Sequence, residues 1–445
     1  MLDRERYRTK KYLHFDHRVK IENAESYVTN PSKIGKHSFL PLIHYVSSFE
    51  KNIGVKNPDY DNRPVKPKKR DIMYAGHWDN FIYKYYSEKL NDSYNEYLIN
   101  VNLNDCITAY RNNMFGKSNI DFAAEIINQI VDYGDAYILV GDFTSYFDKI
   151  DHLLLKESLK KVLNVPRLKK DWFNIFRSVT KYGYYEKDFL TKIIGSDKEL
   201  KAQKKQSYFN QISDFRIFQK KHSTEKNKKA YGIPQGTAIS AVFANIYALN
   251  FDLELKKIAD NYSGIYRRYS DDFVLIMPRK SINDDQEIRN IEKHIRILAS
   301  ECEIIIQEDK TGLYSYKSQE VIKLDDSKVK RLDYLGFIFD GKTVKMRGKS
   351  PYKFYRKAKQ LTKLAQSRKE DKQLNYLPYR KSIYGLYTDL GTSRGEFGNF
   401  ISYAKRAQRK FDELSPLTKN MMLKQIGNRK KKLEKMLGIK IHTKI

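Results

Sequence analysis

The sequence predicts a mixed α+β chain, and three stretches carry that prediction. AYILVGDF (136–143) is strand-like and hands over, through a turn, to the helical periodicity of KIDHLLLKESLKKVL (149–163). TAISAVFANIYALNFDLELKKI (237–258) reads as one helix whose Ile239, Val242, Phe243, Ile246, Leu249 and Leu253 share a face. YRRYSDDFVLIMP (266–278) reads as a β-hairpin, with IYRRY and FVLIMP as arms and Asp271 and Asp272 at the tip.

The other elements follow in order. Residues 51–70 (KNIGVKNPDYDNRPVKPKKR) read as a loop ending in a basic cluster, and WDNFIYKYYSEKLNDSYNEYL (78–98) as a helix with a core-facing aromatic stripe. DFAAEIINQIVDY (121–133) is helical, with Asn119 or Asp121 available as its cap. Residues 181–230 are lysine-rich, weakly periodic and expected to be partly irregular. A helix (286–302) and a strand, EIIIQ (303–307), come next. RLDYLGFIFDGKTVKMRG (331–348) then forms a hairpin turning at Asp340-Gly341, and basic helices fill 351–445, clearest at 399–414.

Composition narrows the function classes. The 445 residues carry 84 Lys and Arg against 54 Asp and Glu, a formal charge of +30, which favours a polyanionic partner, nucleic acid first. Only two cysteines occur, Cys106 and Cys302, with no CxxC and no HExxH, which argues for a reducing compartment and against a thiolate metal site. His14 and His17 read as packing or surface residues rather than metal ligands. No apolar run approaches the ~18 residues that span a bilayer, and MLDRERYRTKKY lacks the apolar core of a secretory signal. The expectation is a soluble, cytoplasmic chain without a membrane partner. GKS (116–118) is no phosphate-binding P-loop, because Arg111 stands where the motif needs its first glycine. Arg111 itself reads as a structural or template contact.

Adjacent carboxylates against an apolar strand repel and are costly to desolvate. A third carboxylate in matching context gives them a purpose. Asp142 ends the strand AYILVGDF, so pairing of that strand beside the YSDD hairpin brings Asp142, Asp271 and Asp272 to one sheet edge. Three carboxylates suit hard divalent ions bound through oxygen. Two Mg²⁺ ions roughly 3.5–4 Å apart would stabilise the attacking and leaving oxygens of an in-line phosphoryl transfer, with Mn²⁺ as a substitute. Between the acidic elements lies YGIPQGTAIS (231–240), where Pro234 and Gly236 make a stiff turn that lets backbone approach a flat ligand closely.

Asp142 with Phe147, IPQGTAISAVFANIY, YSDD, EDKTGLY (308–314) and DYLGFIFDG (333–341) resemble, in order, the motifs of a reverse transcriptase palm. The resemblance implies a right-hand polymerase with fingers, a ferredoxin-like palm and a helical thumb. The corresponding division is an N-terminal extension and fingers (1–130), palm with the first acidic motif (131–180), a lysine-rich insertion (181–230), palm again (231–348), and a basic thumb (349–445). It implies that Asp142, Asp271 and Asp272 hold the metals, Asp272 in the more supporting role. Phe147 matches the aromatic gate against a ribose 2′-OH, and Gln235 and Gly236 would lie against the incoming nucleotide or template base. Lys310 matches a lysine that protonates departing pyrophosphate. Arg70, with Lys69 as the neighbouring alternative, resembles the fingers residue that grips the triphosphate.

The finer pattern, AISAVFANIY together with AYRNNMFGKSNIDFA and YLHFD, resembles the abortive-infection and "unknown group" bacterial reverse transcriptases, which act against phage. That resemblance implies an RNA template, a non-coding RNA encoded nearby, together with deoxynucleoside triphosphates and a DNA product. It leaves open template-independent or protein-primed synthesis by the same site, an RNA-binding protein with a vestigial site, and self-association into a homo-oligomer.

Overall fold

The computed structural model describes residues 2–60, 62–308, 311–325, 328–387, 398–414 and 421–442. Its strands run β1 (Leu42–Asn57), β2 (Arg63–Tyr74), β3 (Asp135–Asp142), β4 (Gly183–Glu186), β5 (Glu225–Lys226), β6 (Ile265–Tyr269), β7 (Asp272–Pro278), β8 (Gly312–Lys317), β9 (Glu320–Lys323), β10 (Lys328–Val329), β11 (Leu332–Tyr334), β12 (Phe337–Phe339) and β13 (Val344–Met346).

The centre is a six-stranded antiparallel sheet in the order β10-β9-β8-β3-β7-β6. Its middle strands separate two cores, which is why they read as near-continuous apolar runs rather than an alternation. Tyr137, Leu139, Phe273, Leu275 and Met277 join the first core, which also holds the helices His77–Asn100, Ala238–Tyr247 and Asp285–Glu301. Ala136, Ile138, Val140, Val274 and Ile276 join the second, shared with Asn119–Tyr133 and the C-terminal helices. The aromatic stripe of the helix His77–Asn100 is core, with Phe81, Tyr83, Tyr86 and Tyr94 fully buried.

Several local expectations are revised. Residues 51–70 are not a loop: β1 and β2 form a long antiparallel ribbon at the end of a second sheet, order β2-β1-β4-β5. Pro67 in β2, the edge strand, has the parity of Met73, whose N–H points out of the ribbon, so its missing N–H costs no ladder bond, and Pro64 falls where the register shifts. Lysines along the ribbon hide the alternation that marks a half-buried strand. The lysine-rich 181–230 is partly irregular, as expected, but also holds β4, β5 and the helices Lys187–Ile193, Asp197–Ala202 and Ile212–Lys221. Its core comes from far away in sequence: Phe15 stacks on Phe215 with ring centroids 4.5 Å apart and packs against Tyr185 and Tyr208. Local periodicity cannot see such partners.

The helix Asn119–Tyr133 is capped by Ser118, with Asp121 completing a capping box. The 237–258 helix divides at Ala248 into Ala238–Tyr247 and Leu249–Asn261. Residues 303–307 form no strand; they run beside the end of β3 through an isolated bridge, Phe143 to Ile306. Residues 331–348 make three strands rather than one hairpin. Gly341 does occupy the β12–β13 turn, at φ 96°, where a Cβ would lie 2.2 Å from the Gln319 carbonyl oxygen.

The C-terminal helices are Lys349–Asp371, Arg380–Tyr387, Phe400–Leu414 and Met421–Leu437. Arg356 on the first of them pairs with Glu50 on β1 at 2.7 Å. Among the described residues no helix is long and apolar enough to cross a membrane.

Candidate active site

Register decides where the carboxylates stand. β3 and β7 pair with Asp142 directly opposite Asp272. The next pair, Phe143 and Asp271, is joined by a Phe143 N–H donating to the Asp271 carbonyl at 3.0 Å. Hydrogen-bonded and non-hydrogen-bonded pairs alternate, so Asp142 and Asp272 form the non-hydrogen-bonded kind, where side chains lie closest on one face. Both are half-buried. Gly141 precedes them because Phe273 lies across it: a Cβ there would come within 2.3 Å of the ring.

The hairpin turn is two residues long, since Tyr269 pairs with Asp272. Ser270 sits at φ 62°, and Asp271 follows it in the turn. The backbone of Asp142 is held on its other side too, the Gln307 N–H donating to its carbonyl at 2.8 Å while the Thr144 N–H donates to Ile305 at 2.7 Å. The two strand ends and the turn are thereby fixed to one another. Among the described residues, no group of three or more His, Cys, Asp or Glu side chains is arranged to hold a metal ion.

The PQG turn meets the ribbon. The Met73 N–H of β2 donates to the Gln235 carbonyl at 2.7 Å. Gly236, at φ 125°, allows this, since a Cβ would lie 2.4 Å from the Met73 oxygen and 3.3 Å from the Ile72 side chain. Phe147 is half-buried against the first core and its carbonyl accepts from the Ile233 N–H at 2.9 Å, so it is tied to the same turn. Arg70 lies two residues from Ile72, hence on the same face of β2, with its guanidinium 5.6 Å from the Phe49 ring centroid. It stands three residues, roughly 10 Å, up the strand from the Met73 joint. Lys69 is exposed, one residue on and facing the other way. Lys310 lies outside the described residues. Arg111 is structural: buried, it donates to Asn95, Asn104 and Ile107.

Sequence reasoning missed the residue beneath the turn. Arg268 is fully buried and bidentate to Asp252, both contacts 2.7 Å. It also donates to the carbonyl of Ser270 at 2.8 Å and to that of Asn245 at 3.1 Å. Burial works against its charge, but the Asp252 carboxylate outweighs this, so the guanidinium holds its proton more tightly than an ordinary arginine. Asp252 also accepts from the Tyr266 hydroxyl at 2.7 Å. Arg268 therefore serves as a strut between the acidic turn and the helix that follows PQG, rather than a counter-charge for Asp271 and Asp272. One signal was available: Asp252 interrupts the apolar face that contains Leu249, and a buried acid requires a partner.

Residues 90–339, more than half of the chain, match the family model described as reverse transcriptase (RNA-dependent DNA polymerase). No curated protein matches significantly. Among solved structures, apo telomerase from Candida tropicalis truncated of its C-terminal domain aligns at TM-score 0.42 and 11% identity, over 73% of this chain and 59% of that one. Telomerase from Candida albicans, in complex with the TWJ fragment of telomeric RNA, aligns at TM-score 0.41 and 12% identity, over 94% and 68%. This chain thus spans under two thirds of the truncated enzyme's length. The matched segment contains β3, the PQG turn and the β6–β7 hairpin, so the acidic edge lies inside the region that defines the family: the chain belongs to the reverse transcriptases (RNA-dependent DNA polymerases).

Proposed function

We propose that the protein is an RNA-directed DNA polymerase whose acidic edge, Asp142, Asp271 and Asp272, is the catalytic centre. The observation that carries this reading is the register of Asp142 against Asp272, with Asp271 in the adjoining turn, within the family segment. In this reading the six-stranded sheet is the palm, the β1–β2 ribbon belongs to the fingers, and the basic C-terminal helices are the thumb. The +30 charge supports a nucleic-acid duplex as the bound polyanion.

The donor set fits a hard divalent cation such as Mg²⁺, because two half-buried aspartates stand opposite one another in register with a third in the adjoining turn, and all offer oxygen. When bound, such ions stabilise charge on the attacking and leaving oxygens. The chain's own residues position the reactants: the primer 3′-oxygen attacks the α-phosphorus of a deoxynucleoside triphosphate and pyrophosphate leaves. Phe147, tied to the PQG turn, would exclude a 2′-OH. Gln235 and Gly236 would form the floor beneath the nascent pair, Arg70 or Lys69 would engage the triphosphate, and Lys310 would protonate the leaving group.

The motif resemblance supports a narrower role, making cDNA from an associated non-coding RNA in defence against phage. The test is deoxynucleotide incorporation on a primed RNA with Mg²⁺. Asp271→Asn should reduce it to background and Phe147→Ala should admit ribonucleotides. Undiminished incorporation by Asp271→Asn would refute the catalytic assignment. Phage protection that survives Asp271→Asn would refute the defence role of the DNA product.

A further inference from the structure

On the helix Lys170–Thr180, Phe173, Phe176, Arg177 and Thr180 fall at the i, i+3, i+4, i+7 spacing of one face. That face opposes His152, Leu153 and Lys156 on the helix His152–Val162, and between them lies a largely apolar cavity of about 460 Å³. Leu153 and Phe173 are exposed at 72% and 45%, an apolar rim of a kind that folding alone does not require. The Lys156 ammonium lies 5.7 Å from the Phe173 ring centroid.

A second, polar cavity of about 350 Å³ shares Arg177 and Lys181 with the first. Lys226, Ser38, Ser178 and Thr224 add a further cation and three hydroxyls to its wall. No carboxylate lines either cavity among the described residues. An apolar slot that shares two cations with a basic, hydroxyl-lined one matches a flat aromatic body carrying phosphate.

We propose that these two cavities, sharing Arg177 and Lys181, form a nucleotide-binding site separate from the acidic edge, taking the base against Phe173 and Phe176 and the phosphates against Arg177, Lys181 and Lys226. The site requires no metal, because its cations are its own. It also has a physical route to the active site. His152, 7% exposed in the cavity wall, holds the Gly232 carbonyl through Nε2 at 2.9 Å, two residues before Pro234 of the PQG turn. A carbonyl only accepts, so Nε2 carries the proton.

The test is equilibrium binding of a fluorescent ATP analogue to the full chain in EDTA, where a metal-dependent catalytic site stays silent. Saturable one-to-one binding is expected. Arg177→Glu with Lys226→Glu should weaken it at least tenfold and Phe173→Ala several-fold, while Asp271→Asn leaves it unchanged. Circular dichroism and melting of each variant verify folding. Absence of metal-independent binding, or insensitivity to the charge reversals, would overturn the proposal. So would loss of binding in Asp271→Asn, or inorganic tripolyphosphate binding as tightly as the ATP analogue. Displacement of the analogue by a short single-stranded RNA at lower concentration would instead make the cleft a nucleic-acid path. None of these readouts depends on polymerase activity, so the site and the catalytic reading stand or fall separately.

Discussion

The central sheet and the outer ribbon are both antiparallel, yet they obey different physics. β3 and β7 lie between two cores, and their identities are dictated by burial on both faces. The β1–β2 ribbon, lysine-rich and with β2 at the sheet edge, is anchored in the cores at its foot, through Leu42, Ile43 and Tyr74, and also meets the chain at the Met73–Gln235 bond, at β4 and at the Glu50–Arg356 pair. A position in the sheet can be changed only at a cost in folding. An exposed position of the ribbon, such as Lys69 or Arg70, can be changed at little cost in folding, unlike the buried Leu42 and Ile43 at its foot, and variants can test that division.

The largest expected effect is in the sheet. Arg268→Ala leaves Asp252 buried without its partner and should cost about 3–5 kcal/mol in chemical denaturation. Replacing both residues, Arg268→Met with Asp252→Leu, should cost distinctly less. An Arg268→Ala protein as stable as the parent would remove the strut from the account. Next is His14, buried beside the second sheet, whose imidazole burial pushes down to about 4 from 6.5. Between those values the unfolded chain binds a proton that the native one refuses. Stability from this group is therefore complete above about pH 6.5 and lost as pH falls toward 4, by about 3 kcal/mol. His14→Leu should flatten that part of a pH–stability profile, and an unchanged slope would contradict the assignment.

At the joint between the regions, Gly236→Ala places a Cβ against the Met73 oxygen at a strained φ, for about 1–3 kcal/mol. Its sharper readout is incorporation, which should fall by more than stability explains. The smallest effect on folding belongs to Arg70→Ala in the ribbon, within about 0.5 kcal/mol, with the expected change a raised KM for deoxynucleotides. A KM unchanged in both Arg70→Ala and Lys69→Ala would take the ribbon out of substrate binding.

The same contrast explains what was legible in the sequence. β3, β7 and the YSDD hairpin were readable because continuous apolar runs and a short polar turn admit few alternatives. The ribbon was not, because lysines on both faces erase the period-two signal and prolines argue against a strand until its edge position is known. The pairing of Phe15 with Phe215 bridges two hundred residues, which no local pattern encodes. At the site, the three aspartates and the PQG turn were visible as motifs, while the one-to-one register of Asp142 with Asp272 and the role of Arg268 required the fold.

The joint at Met73 has a mechanical consequence. From Met73 back to Pro67, the partner of Glu50, the ribbon is a regular ladder of six residue steps, roughly 20 Å. A tilt of about 10° at its foot moves Glu50 by roughly 3.5 Å, enough to part the Glu50 and Arg356 side chains. Exposed ion pairs of that type are worth about 0–1 kcal/mol, so the latch yields to small forces. A polyanion drawn to Arg356 supplies such a force, and added salt supplies another. Parting this pair therefore takes an energy far below that of unfolding the chain.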